Sequence, residues 1–203
     1  MRIQYLEKEV IKITNRKNKI VECAINIMGI HGLNCSMDMV TKEADCSDTL
    51  IYKYFKSRNG LIAACHERIC EEVIKEVRKV PFPEEIEKEY VMEYFHEIWN
   101  VYFKYVQNHI EKCEFLIQYS CQKNTYPSMY SNQNNLISEI LGKNYGVNGE
   151  FDRYFTFMFF YMISIANMAT VGMKKEWDIY SKEKSEAIFD LVFNGLFNTY
   201  IFH

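Results

Sequence analysis

The twenty-one residues from Ser36 to Lys56, SMDMVTKEADCSDTLIYKYFK, constrain this chain more tightly than any other stretch. Ser36 is a good N-cap, and Met37, Val40 and Ala44 follow it at helical spacing, which predicts a short helix over 37–44 with one apolar face. Asp45 then stands where the chain must reverse, a place where Asp tolerates the left-handed conformation better than most residues. Ser47 caps the next helix and Asp48 sits in its first turn, where the helix dipole favours an acid. Ile51, Tyr54 and Phe55 form the inner face of that second helix, leaving Asp48, Thr49, Tyr52, Lys53 and Lys56 outside. Ser57 caps a further helix that opens at Arg58 and runs through Leu61, Ile62, Cys65 and Ile69. Upstream, Ile20, Ala24, Ile27 and Met28 give an earlier helix its stripe, with Gly29 or Gly32 to end it near His31. Two short helices about a tight turn, braced by a helix on each side, can offer one of the pair to a DNA major groove.

These residues carry a resemblance. The segment is similar to the DNA-binding domain of the TetR family of bacterial transcription regulators, at Ile20, Ala24, Gly32, Ser36, Ala44, Ser47, Tyr52, Tyr54, Phe55, Lys56, Ser57 and Leu61. It covers roughly the first third of the chain, and so many positions in register make it far more specific than a lone short motif. Three places depart from the family's pattern: Asp45 replaces a turn Gly, Cys46 a small apolar residue, and Asp48-Thr49-Leu50 a basic-Gly-Thr opening of the recognition helix. The resemblance implies contacts to a double-stranded DNA operator from Ser36, Lys42, Asp48, Thr49, Tyr52, Lys53, Lys56 and Arg58. The departures bear on which operator is read, since an acid repels phosphate but can accept from cytosine N4.

With three Pro and eight Gly in 203 residues and helix-period patterns nearly throughout, the expected class is all-α, with about nine helices. A composition of 48% hydrophobic and 25% charged residues is that of an ordinary globular protein. The net charge of −3 alone argues against nucleic acid, but it is unevenly spread. Residues 1–60 hold ten Lys and Arg against seven Asp and Glu, and the remainder fourteen against twenty. The basic surplus therefore lies at the end expected to meet DNA. The expected organisation is a helical extension over 1–15, a three-helix helix-turn-helix domain with its connecting helix over 16–79, and an effector-binding and dimerisation domain over 80–203. Pro81 and Pro83 mark that last boundary. Met1 to Asn15 mixes Glu7, Lys8, Glu9 and Lys12 with apolar residues and lacks the uninterrupted core of a secretory signal, so a cytoplasmic protein is expected.

Seven cysteines, odd in number and without a CxxC pair, suggest small buried hydrophobes in a reducing compartment. Cys46, in the turn, is the best placed of them for redox sensing. No zinc site, other metal or cofactor is expected. Glu93 and His96 match one Glu-x-x-His element of the di-iron bundles, but such sites need two copies. With no phosphate loop, nucleophile elbow or HExxH either, the chain reads as a non-enzyme.

Beyond the prolines, helices are expected over 84–108, 110–122, 129–141, 151–175 and from Lys182 nearly to the end, with a loop at 142–149. Tyr154 to Met173 is twenty residues without a charge, long enough to span a bilayer. Asn167, the hydroxyls of Thr156, Ser164 and Thr170, and an amphipathic helix downstream favour a helix buried on all sides and no membrane. Burial on every side requires partners. Ser164, Ala169 and Gly172 allow close approach, and Ile188, Leu191 and Leu196 add a stripe on the final helix, so a homodimer built from two helices of each subunit is expected, as the resemblance also implies. The family further implies an unknown small-molecule effector. Tyr94, Trp99, Tyr102, Phe115, Tyr119, Phe159, Met162 and Asn167 could line an apolar cavity for it, although each also suits a plain core. The expected function is a homodimeric, ligand-responsive regulator, most often a repressor in this family. The alternative is a helical adaptor of the same fold without sequence-specific DNA recognition.

Overall fold

The computed structural model of the chain describes residues 2–81, 88–120, 183 and 185–190, with the side chains of 2–9, 88, 89 and 91 excepted. Among them are six helices: α1 (Arg2–His31), α2 (Met37–Ala44), α3 (Asp48–Phe55), α4 (Arg58–Val77), α5 (Lys88–Asn108) and α6 (Ile110–Ser120). Residues 185–190 add a further helical stretch, and no strand occurs among the described residues. The fold is all-α. The expected helices over 129–141 and 151–175, the uncharged run over 154–173, and Phe159, Met162, Ser164, Asn167, Ala169, Gly172, Leu191 and Leu196 all lie outside the described residues.

The extension and the first expected helix form one element of 30 residues. Residues 11–15 are exposed around its whole circumference, so this part of α1 projects beyond the packed body. From Ile20 onward Ile20, Val21, Ala24, Ile25 and Met28 turn inward, and each of them but the small Ala24 contributes roughly 1.5–3 kcal/mol on burial. The helix ends at Gly32, whose φ of +91° suits glycine and whose N–H donates to Met28 O at 2.9 Å.

Gly29, the other candidate for that stop, has a different task. A methyl group there would lie 2.3 Å from the carbonyl oxygen of Glu111 in α6, so α1 and α6 touch backbone to backbone at this point. Gln118 secures the crossing by donating Nε2 to Gly29 O (3.2 Å) and accepting at Oε1 from Leu33 N (2.9 Å). α4 packs against α1, α3, α5 and α6 and so connects the amino-terminal helices to the rest.

Between α4 and α6 lies an unexpected buried imidazole. His66 is 2% exposed, stacks on Tyr119 with ring centroids 4.2 Å apart, and has Cys70 Sγ 3.6 Å from Nε2. Burial lowers its pKa from about 6.5 to about 4, because the charged form would lose its hydration. The unfolded chain therefore binds the extra proton first as pH falls, and stability should decline from about pH 6.5 down to pH 4 and level off below. Between pH 7.5 and pH 5 this one group accounts for about 2 kcal/mol. Urea unfolding at the two pH values, with His66→Phe as the comparison, should show that much more loss in the parent; equal losses would remove His66 as the cause.

Candidate nucleic-acid interface

The turn between α2 and α3 is built from side-chain caps at both ends. Ser36 adopts φ −64°, ψ 139° and its Oγ accepts from Asp38 N at 3.2 Å; α2 closes on Asp45 in the left-handed region, φ 51°, ψ 56°. There Cys46 N donates to Thr41 O at 3.0 Å, which completes the reversal without a glycine. Ser47 Oγ then accepts from Leu50 N at 3.4 Å, and α3 ends at Lys56, φ 68°, whose N–H donates to Tyr52 O at 2.9 Å. Ser57 Oγ accepts from Gly60 N at 3.0 Å and starts α4 at once. Three serines and two residues of positive φ thus fix the direction in which α3 leaves the core.

Burial decides which face of α3 is available. Ile51 and Phe55 enter the core beside Val40, Ala44 and Leu61, with Tyr54 half-buried at the edge. On the opposite side Asp48, Thr49, Tyr52, Lys53 and Lys56 are all exposed, Tyr52 by 50% despite its size. Lys42 of α2 and the cap Ser36 are exposed as well. The exposed phenol of Tyr52 and the ammonium of Lys53 share this face of α3, with exposed Lys42 and Lys56 on its flanks and the exposed acids Asp45 and Asp48 beside them, a mixture that can meet both phosphates and base edges. From α1, Lys17 Nζ lies 5.7 Å over the Phe55 ring, a cation against a π face that ties α1 to α3.

No protein-family model matches the chain, and no curated protein sequence matches it. Solved structures do match. A TetR-like transcriptional regulator from Rhodococcus sp. RHA1 superposes with a TM-score of 0.63 at 17% identity, covering 89% of this chain and 95% of its own. The fold is that of the TetR regulators. A TetR family transcription regulator from Shewanella sp. PV-4 gives 0.63 at 14% identity over 89% and 97%, and one from Haemophilus influenzae RD gives 0.61 at 18% over 89% and 96%.

Within this TetR fold, seven of the eight residues expected at DNA share the exposed surface of α2, α3 and their flanks. Arg58 is placed otherwise. Its guanidinium turns inward, where Nη2 donates to Leu33 O at 2.6 Å and to Cys35 O at 2.5 Å, bracing the loop between α1 and α2. A position just after a cap serine is ordinarily exposed, so nothing in the sequence separates this arginine from a phosphate-binding one. Cys46 is half-buried, and burial raises its thiol pKa, which disfavours the thiolate that oxidation requires.

Five of the expected ligand residues are described, and all five are inside the protein. Tyr94, Trp99, Tyr102, Phe115 and Tyr119 are each buried, and Trp99 Nε1 donates to Ser185 Oγ at 2.9 Å. His96 pairs through Nε2 with Glu186 Oε2 at 2.5 Å and packs against Phe189, so α5 holds the 185–190 stretch by polar and aromatic contacts. Ile188, expected at a dimer interface, packs half-buried against the chain's own core. Among the described residues no group of three or more His, Cys, Asp or Glu is placed to hold a metal, and no helix is long and apolar enough to cross a membrane.

Replacing Arg58 by Met should leave two carbonyls without their charged donor and lower unfolding free energy by about 2 kcal/mol in urea. Unchanged stability would contradict the bracing role.

Proposed function

We propose that this chain is a homodimeric transcriptional regulator of the TetR family that binds a near-palindromic DNA operator through α3 and acts as a repressor released by a small ligand. The observation that carries the reading is the outward face of α3, Asp48, Thr49, Tyr52, Lys53 and Lys56, held on a capped helix-turn-helix inside a TetR fold. Lys42, Lys53 and Lys56 reach phosphates, and Ser36 supports them with a hydroxyl. Thr49 and Tyr52 approach base edges. Asp48, unable to bind phosphate, accepts from a cytosine amino group and thereby narrows the operator at one position.

Two subunits joined through their last two helices would present two such faces one helical turn of DNA or a multiple of it apart. A ligand that binds best when that separation is wrong lowers DNA affinity by the same coupling free energy. The protein catalyses nothing and needs no cofactor in this role.

Selection from random duplexes should recover an inverted repeat. Binding to it should weaken steeply with salt, and Lys53→Ala should reduce the slope of log K against log salt by about one. Tyr52→Ala should cost roughly 1–3 kcal/mol of affinity at a single position of each half-site. Recovery of no motif would favour the adaptor reading, in which the fold is kept and sequence recognition is lost.

A further inference from the structure

Of the six large hydrophobic residues exposed among those described, three stand within four positions of one another on the projecting part of α1: Val10 (61%), Ile11 (58%) and Ile13 (47%). All three are β-branched, so propensity supports a solvated helix here poorly, and most helical stability in proteins comes from packing one face. Val10 and Ile13 are three residues apart, and the same alternation of three and four, continued back along the helix, passes through Leu6 and Ile3. In a heptad, Ile3 and Val10 take position a and Leu6 and Ile13 position d, while Ile11 falls at b, off the stripe. Forward along α1, the next a is Lys17, whose Nζ lies over the Phe55 ring of its own chain, and the next d is Ile20, fully buried. One apolar stripe thus starts as an exposed seam and becomes the core of the domain where α1 enters the body.

The width and borders of the seam select its occupant. The four a and d positions subtend only about 80° of the helix circumference, the narrow stripe of a coiled coil and less than a helix lying in a lipid surface needs. Glu7 at e and Glu9 at g border it on either side, which opposes anionic lipid or DNA phosphate on this face, and Lys8, Lys12 and Lys19 stand on the opposite side of the helix. A second copy of the same helix fits those borders in one direction. Parallel pairing sets Arg2 at g against Glu7 at e of the other copy, twice about the two-fold axis, and Glu9 against Thr14, whose hydroxyl already donates to Val10 O at 2.9 Å. Antiparallel pairing over the same four layers sets Glu7 against Glu7, Glu9 against Glu9 and Arg2 against Arg16, like charge against like throughout.

We infer that α1 carries a self-association surface over Ile3, Leu6, Val10 and Ile13, along which two copies of this chain pair as a short parallel two-stranded coiled coil. The surface is separate from the last two helices and from the outward face of α3, so it depends neither on the proposed dimer nor on DNA binding. A seam of roughly two heptads pairs weakly between free chains and is strengthened wherever a second contact holds two copies together.

Thiol cross-linking of the full chain reads the pairing directly. Val10→Cys and Ile11→Cys place thiols at similarly exposed neighbouring positions, one on the seam and one off it. Under copper phenanthroline oxidation, links between two position-10 thiols, told apart from the native cysteines by peptide mass, should form at least tenfold faster than links between two position-11 thiols. Adding Arg2→Glu to Val10→Cys should slow linking several-fold, and adding Glu7→Arg as well should restore it. Circular dichroism melts establish that each variant keeps the parent's fold. Equal rates at positions 10 and 11, or a charge reversal that fails to restore linking, would overturn the pairing. Preferential linking of Leu6→Cys to Val10→Cys in a mixture of the two chains is the mark of antiparallel order and would overturn it as well. With equal rates, shielding of Val10→Cys from maleimide by phosphatidylglycerol vesicles or by duplex DNA gives the stripe to that partner in place of a second copy.

Discussion

The contact of α1 with α6 at Gly29 is the point on which the rest of this structure depends. A side chain of even one carbon would meet the Glu111 carbonyl, so glycine lets two helix backbones approach to a distance that no other residue permits. Gln118 then ties the end of α1 on both sides of Gly32, and Arg58 ties the following loop to the start of α4. The first and last turns of the helix-turn-helix unit are thereby referred to one rigid crossing. α3 has a defined direction because everything that flanks it is anchored there.

Electrostatics is arranged around this frame in two layers. Outside, exposed Lys42, Lys53 and Lys56 stand among the exposed acids Asp38, Glu43, Asp45 and Asp48, so the surface around α3 carries both signs. Inside, Arg68, Glu22, Lys112, Glu72 and Tyr105 link α1 and α4 to α5 and α6, by ion pairs at Glu22 and by hydrogen bonds at Glu72. Such a network is worth less as net stability than as geometry, since each member has one arrangement that satisfies it. The two layers meet in α4, which carries Glu72 in its middle and follows α3 at its start.

The helices of the amino-terminal half were legible in the sequence almost to the residue, since their signals are local: Ser36, Ser47 and Ser57 as caps, Asp45 at the reversal, and apolar residues at helical spacing between. The outward face of α3 followed from the same spacing. Arg58 was not legible, because its partners Leu33 and Cys35 are over twenty positions away and only the folded loop brings their carbonyls to it. Gly29 and Gly32 could not be told apart for a similar reason, as the neighbour that distinguishes them, Glu111, belongs to another helix. His66 reads in sequence as a polar residue on a helix and is in fact deep in the core, where stacking on Tyr119 accommodates the neutral ring. The aromatic residues of α5 and α6 fit a core and a cavity equally well by pattern, and the burial of those that are described is what either arrangement requires.

Photo-crosslinking from α3 tests the central claim most directly. With p-benzoylphenylalanine at position 49, irradiation of the full chain on its selected duplex should give covalent adducts at bases within each half-site. The same probe at exposed Glu71, on α4 and away from the recognition face, should give none. Equal yields from the two positions, or adducts from Glu71 alone, would contradict the assignment of α3 as the helix that enters the major groove.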